Sequence, residues 1–128
     1  MADNGFYWNV IEEAREKGNA AALNNKPTPM VVGEAKDLTS SEIDYSKKTY
    51  YVSEGVCGFA WIWFKGNTKF GRWAKKMGLA KSWYPTGLAI WVGEFGQSYE
   101  RKMAYARAFA KVLNEYGIND AYASGRLD

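Results

Sequence analysis

Histidine is absent from this chain of 128 residues. That absence removes Ser-His and Cys-His nucleophile pairs, His-containing zinc sites and the usual neutral-pH proton shuttle. Cysteine occurs once, as Cys57. A lone thiol forms no internal disulfide and cannot build an all-cysteine zinc site. With no histidine to activate it, Cys57 reads as a small buried hydrophobe at the start of a strand. The longest uncharged apolar run, Val56 to Phe64, falls far short of the ~20 residues that a membrane span needs. No signal-peptide pattern opens the chain, because Asp3, Glu12, Glu13 and Glu16 punctuate it. The expectation is a soluble, intracellular protein with no membrane partner.

Negative charge is also missing locally. From Gly55 to Gly93 there is no aspartate or glutamate, while Lys65, Lys69, Arg72, Lys75, Lys76 and Lys81 give six cations. The flanking segments carry net −3 (1–54) and zero (94–128), so the overall +3 hides a local +6. Five of the six tryptophans lie in the same window. Cations interleaved with rings are what phosphate holding and base stacking require. The window is also what a sheet-and-helix core with cationic flanks looks like.

What is present fits one folded domain, residues 1–128, with 47% apolar and 24% charged residues. Asn4 is placed to cap a helix from Gly5 to Asn24, with Tyr7, Ile11, Ala14, Gly18 and Ala21 forming one stripe joined by Val10. Met30–Val32 is a short strand candidate after the proline-bearing stop. Residues 34–48 lack a period and read as a long, mobile loop. Lys48–Ser53 and Cys57–Phe64 read as strands of a hairpin turning at Glu54-Gly55. Thr68 caps a short helix over Lys69–Met77, ended by Gly78. Leu88–Glu94 is a strand after the Tyr84–Gly87 turn. Ser98 caps a long helix from Tyr99 to Tyr116, and Asp120–Ser124 closes the chain as a strand. On that helix Tyr99, Met103, Tyr105, Ala106, Phe109, Ala110, Leu113 and Tyr116 form the apolar face. The order predicts an α+β fold: an antiparallel or mixed sheet of four to five strands, two long helices and one short basic helix.

Three features could carry function. Strand alternation sends Ala60, Ile62 and Phe64 to one face and Phe59, Trp61 and Trp63 to the other. If the later strand is a neighbour, Leu88, Ile90 and Val92 join the aliphatic face and Trp91 the aromatic one. Such a face stacks bases if it is open, at ~1–3 kcal/mol per base, and serves packing if a helix or second subunit covers it. The basic helix comes second. Lys69, Arg72 and Lys76 share a face at spacings of three and four, with Lys65 and Lys75 nearby and free amides at Gly66–Thr68. Trp73 reads as its anchor, unavailable for stacking. The alternative is a solvated surface helix. The third and weakest feature is the turn Gly93–Ser98 with Ser98 and Arg101, where a helix start could hold a phosphate. It is neither a GxGxxG nor a P-loop. Glu34, Asp37, Glu42 and Asp44 cluster in the long loop without metal-ligand spacing. No cofactor, metal site or catalytic residue is expected.

The segments Gly55–Trp61 (GVCGFAW), Gln97–Ala110 (QSYERKMAYARAFA) and Ala121–Asp128 (AYASGRLD) resemble stretches of small proteins encoded by tailed bacteriophages or prophages. The likeness runs from Lys26 to the C-terminus. It implies action in a host bacterial cytoplasm, and supplies no activity and no site residues. Proteins of that kind bind nucleic acid, build the virion or neutralise host defences, some as oligomers that sequester nucleotide signals. The leading expectation is therefore a non-catalytic accessory protein for a phosphate-bearing ligand. That ligand is nucleic acid, or a nucleotide held at the interface of a homo-oligomer. Lys65, Lys69, Arg72, Lys75 and Lys76 supply charge, and Trp61, Trp63 and Trp91 supply stacking. The alternatives are a virion or assembly protein with an aromatic interface, and a carboxylate-dependent nuclease.

Overall fold

Among the described residues, three helices and six strands form in the order α1 (Ala2–Asn24), β1 (Met30–Val32), β2 (Tyr50–Val52), β3 (Gly58–Phe64), α2 (Lys69–Lys76), β4 (Lys81–Ser82), β5 (Leu88–Trp91), α3 (Tyr99–Glu115) and β6 (Tyr122–Leu127). This is a computed structural model, and it describes residues 2–33, 47 and 49–128. The expected loop over 34–48 and its four carboxylates lie almost wholly outside those residues.

The expected α+β class holds. The main sheet has the order β4-β5-β3-β6, every pair antiparallel, and β1 and β2 make a separate two-stranded sheet. The hairpin expected between β2 and β3 does not form. Val52 faces Met30 in β1 instead. The edges of β3 that a β2–β3 hairpin would need are taken by β5 and β6, and the chain just before it by the approach to α3: Gly58 N–H donates to the Gln97 carbonyl (3.1 Å) and Tyr99 N–H to the Val56 carbonyl (3.1 Å). Gly55 turns the chain in the left-handed region, φ +75°, and an added Cβ would sit 2.5 Å from the Thr28 carbonyl oxygen.

Alternation along β3 and β5 places Ala60, Ile62, Phe64, Leu88 and Val92 in the core, beneath the helices. There they meet Phe109 and Leu113 of α3 and Val10 and Ile11 of α1. The apolar face of α3 forms largely as its period predicts. It differs in that Val112 is also buried and Tyr99 only partly so, Lys102 is buried, its ammonium donating to the Gly58 carbonyl (3.2 Å), and Tyr116 is exposed and donates to Glu13 (2.9 Å). That bond to a carboxylate raises the Tyr116 pKa. Tyr105, buried in the core and near Glu94, has its phenol pushed up to about 12. Gly18 of α1 crosses α3 at Tyr105, where an added Cβ would lie 2.7 Å from the ring.

Two further differences concern helix starts and strand ends. Asn4, expected as a cap, lies inside α1, and its side-chain oxygen accepts from the Trp73 indole N–H (2.8 Å). β4, two residues long, was not expected, and β6 runs to Leu127 where a strand ending at Ser124 was expected. The caps of α2 and α3 form as their residues predict: Thr68 accepts from Gly71 N–H and Ser98 from Arg101 N–H.

Candidate functional site

The face of the main sheet away from the helices is aromatic. Trp61 faces Trp91 on one side and Ser124 on the other, and Trp63 lies between Ala89 and Tyr122. Residues opposite one another in antiparallel strands share a face, so all of these side chains stand together. Trp61, Trp83 and Trp91 form a cluster with centroid separations of 4.6, 5.0 and 5.7 Å. Phe59 extends it toward Trp91 (6.2 Å), and Trp63 stacks near Tyr122 (5.3 Å). Trp91 is 44% exposed, whereas Trp61 is only 8% exposed beneath its two neighbours. Trp61 is thus the floor of the cluster rather than a ring able to take a base. Trp63 is half-buried, its N–H donating to the Thr86 carbonyl (2.9 Å) and its indole pressed on Gly87.

Cations border this face. Register places Lys81 opposite Ala89 and Arg126 opposite Phe59. The Arg126 guanidinium lies 5.4 Å from the Phe59 centroid. Lys65 and Trp63 line a cavity of about 360 Å³ at the end of β3, closed by the Thr86-Gly87 turn. None of the residues that the register sets on this face is acidic.

The basic helix lies on the other side of the sheet. Phe70 anchors α2 against the core ring Phe64 (5.0 Å) and against Tyr7 of α1 (5.3 Å). Lys69, Arg72 and Lys76 are therefore parted from Trp61, Trp63 and Trp91. They border instead a groove of about 590 Å³ between α1 and α2, floored by Tyr7, Trp8 and Trp73. Trp73 anchors α2 as expected and also presents its ring to this groove. Lys75 is exposed and lies outside the groove lining. The start of α2 is less open than a bare helix end: the Asp120 carboxylate accepts from Lys65 N–H (2.5 Å), and Thr68 Oγ1 takes Gly71 N–H (2.9 Å).

Ser98 and Arg101 hold the fold together. Ser98 is 2% exposed, accepts from Arg101 N–H (3.3 Å) and donates to the Glu54 carbonyl (3.1 Å). Arg101 grips Glu54 through Nε (2.8 Å) and Nη2 (3.4 Å), and donates from Nη1 to the Ala22 carbonyl (2.8 Å). A guanidinium engaged on two sides, next to a buried hydroxyl, joins α1, the Glu54 turn and α3. Its binding capacity is used internally. Cys57 is partly buried, and its carbonyl accepts from Asp128 N–H (3.0 Å).

The sequence reading missed Tyr7, Trp8, Trp83, Tyr122 and Arg126 as site residues. Tyr7 falls on the apolar stripe of α1, and Trp83 follows a strand too short to see. The positions of Trp8, Tyr122 and Arg126 depend on packing across distant elements. Among the described residues, no group of three or more acidic or cysteine side chains could hold a metal, and no helix is long and apolar enough to cross a membrane. No protein-family model, curated protein or solved structure matches the chain, so the resemblance to phage proteins rests on the quoted segments alone.

Proposed function

We propose that this is a non-catalytic binding protein for single-stranded nucleic acid, which it takes on the aromatic face of the main sheet. The supporting observation is the composition of that face: Phe59, Trp63, Trp91 and Tyr122 across three strands, with Lys65, Lys81 and Arg126 around them and no acid set among them. Every base has a π-face, so such a surface binds with little sequence preference, each stacked base contributing ~1–3 kcal/mol. Three cations on phosphates of a single strand imply a log–log salt slope of about −2, from roughly 0.7 per neutralised phosphate.

Fluorescence anisotropy of a labelled oligothymidine at low salt tests this. Binding should weaken with salt at that slope, and more than tenfold in Trp91→Ala, while Lys81→Gln should flatten the slope by about 0.7. No anisotropy change at low salt would refute the proposal. If the chain instead self-associates through Trp91 and Tyr122, with no oligonucleotide binding, light scattering will show a dimer. The face would then serve an assembly role.

A further inference from the structure

The groove between α1 and α2 is a separate surface, on the far side of the sheet from the oligonucleotide face. We infer that it is a second binding site, for a small aromatic anion of the nucleoside monophosphate class.

Its floor is built for a flat ring. Trp8 and Trp73 meet edge to face, centroids 5.3 Å apart and planes at 79°. Tyr7 closes the corner at 5.2 Å from Trp73. A planar base laid on one indole has the other at its edge, the arrangement that aromatic quadrupoles favour. The corner is preorganised, because the Trp73 indole N–H is held by Asn4 Oδ1 (2.8 Å). This fixes the ring before any ligand arrives and leaves the Asn4 amide nitrogen as a donor in the groove lining.

Its rim selects charge. Lys69, Arg72 and Lys76 border the groove, and among the described residues no acidic side chain lines it. Arg72 Nη1 donates to the Asn67 carbonyl (3.1 Å), which steadies the guanidinium with its other N–H groups available for an anion. The volume of about 590 Å³ suits a mononucleotide, within the roughly 300–1,000 Å³ of small-molecule sites. Stacking surface and paired cations within one groove of that size call for a ligand with both a ring and a phosphate.

Isothermal titration with adenosine monophosphate, adenosine and inorganic phosphate tests the site, using the intact protein and following tryptophan emission in parallel. The monophosphate should bind at least tenfold more tightly than either adenosine or phosphate. Arg72→Gln with Lys76→Gln should weaken it at least tenfold. Both residues are exposed, so the circular dichroism and thermal midpoint should stay unchanged; if the pair misfolds, Lys76→Gln alone should weaken binding severalfold. Trp91→Ala should leave monophosphate binding intact, which separates this site from the sheet face. Equal affinity for adenosine and its monophosphate would overturn the inference, as would monophosphate binding that survives the double substitution. Absence of heat and quenching at millimolar monophosphate would do the same while leaving oligonucleotide binding to be judged on its own assay.

Discussion

One substitution made at two places in α1 should have opposite signs. Gly5 and Gly18 both lie within the helix, and alanine favours a helix interior over glycine by ~1 kcal/mol. At Gly5 an added methyl meets nothing within 4 Å. At Gly18 it would lie 2.7 Å, 2.9 Å and 3.1 Å from Cδ2, Cε2 and Cγ of Tyr105. That ring cannot swing aside easily, because it packs against Phe95 (5.7 Å) and Phe109 (5.8 Å). The helices must then part by several tenths of an ångström, and overpacking of this kind costs ~1–3 kcal/mol. Gly5→Ala should therefore stabilise by up to ~1 kcal/mol. Gly18→Ala should destabilise by ~0–2 kcal/mol, the overpacking cost less the helix gain. The gap between the two variants isolates the steric part. Urea denaturation resolves it, and thermal midpoints should separate by roughly 3–5 °C per kcal/mol for a chain of this size. In a Tyr105→Ala background the clash is gone, so Gly18→Ala should become stabilising. Gly18→Ala stabilising the native protein as much as Gly5→Ala, or a cost that persists without Tyr105, would refute the close crossing of α1 and α3.

Two other perturbations follow from the same packing. Arg101→Met should cost ~1.5–3 kcal/mol, the worth of a hydrogen bond from a charged donor, because the Ala22 carbonyl then keeps only the longer bond from Asn25 N–H (3.3 Å). Glu54→Gln should cost less than ~1 kcal/mol, since that side of the pair is 52% exposed; equal losses in denaturant titrations would contradict the assignment of Arg101 as a brace. The Tyr105 phenol has a folded pKa of about 12 against 10 unfolded, so the native state holds its proton more tightly. Its contribution is complete below pH 10 and lost as pH rises toward 12. Tyr105→Phe should flatten the fall in stability between those values, and an unchanged alkaline profile would count against burial of the hydroxyl.

Local pattern made part of this molecule legible in advance. Strict alternation in Phe59–Phe64 announced both faces of the sheet, and Thr68 and Ser98 announced the starts of two helices. Pairing was not legible. β2 joins β1 because β5 and β6 take both edges of β3 and the start of α3 takes the backbone of Val56–Gly58, a competition among segments far apart in sequence. The acid-free window misled for a related reason. Its cations and rings are close in sequence, but β3 and α2 belong to different layers, so Phe70 carries the charges away from Trp61 and Trp63. The rings that meet Arg72 and Lys76 are Trp73 and two contributed by α1, Tyr7 and Trp8. The same layering shows why Ser98 and Arg101, plausible anion ligands by type, became internal fasteners.

The main sheet ends differently on its two sides. At one margin stands β4, two residues long, too brief to template another strand. At the other stands β6, six residues with only the charge of Arg126 to discourage pairing. Among the described residues no strand pairs with its outer edge, and unpaired backbone along a strand of that length invites edge-to-edge addition. Growth by strand addition, in concentrated solution or during folding, would thus be one-sided. It would begin at Tyr122–Leu127, and a lysine in place of Ser124 would be the natural place to block it.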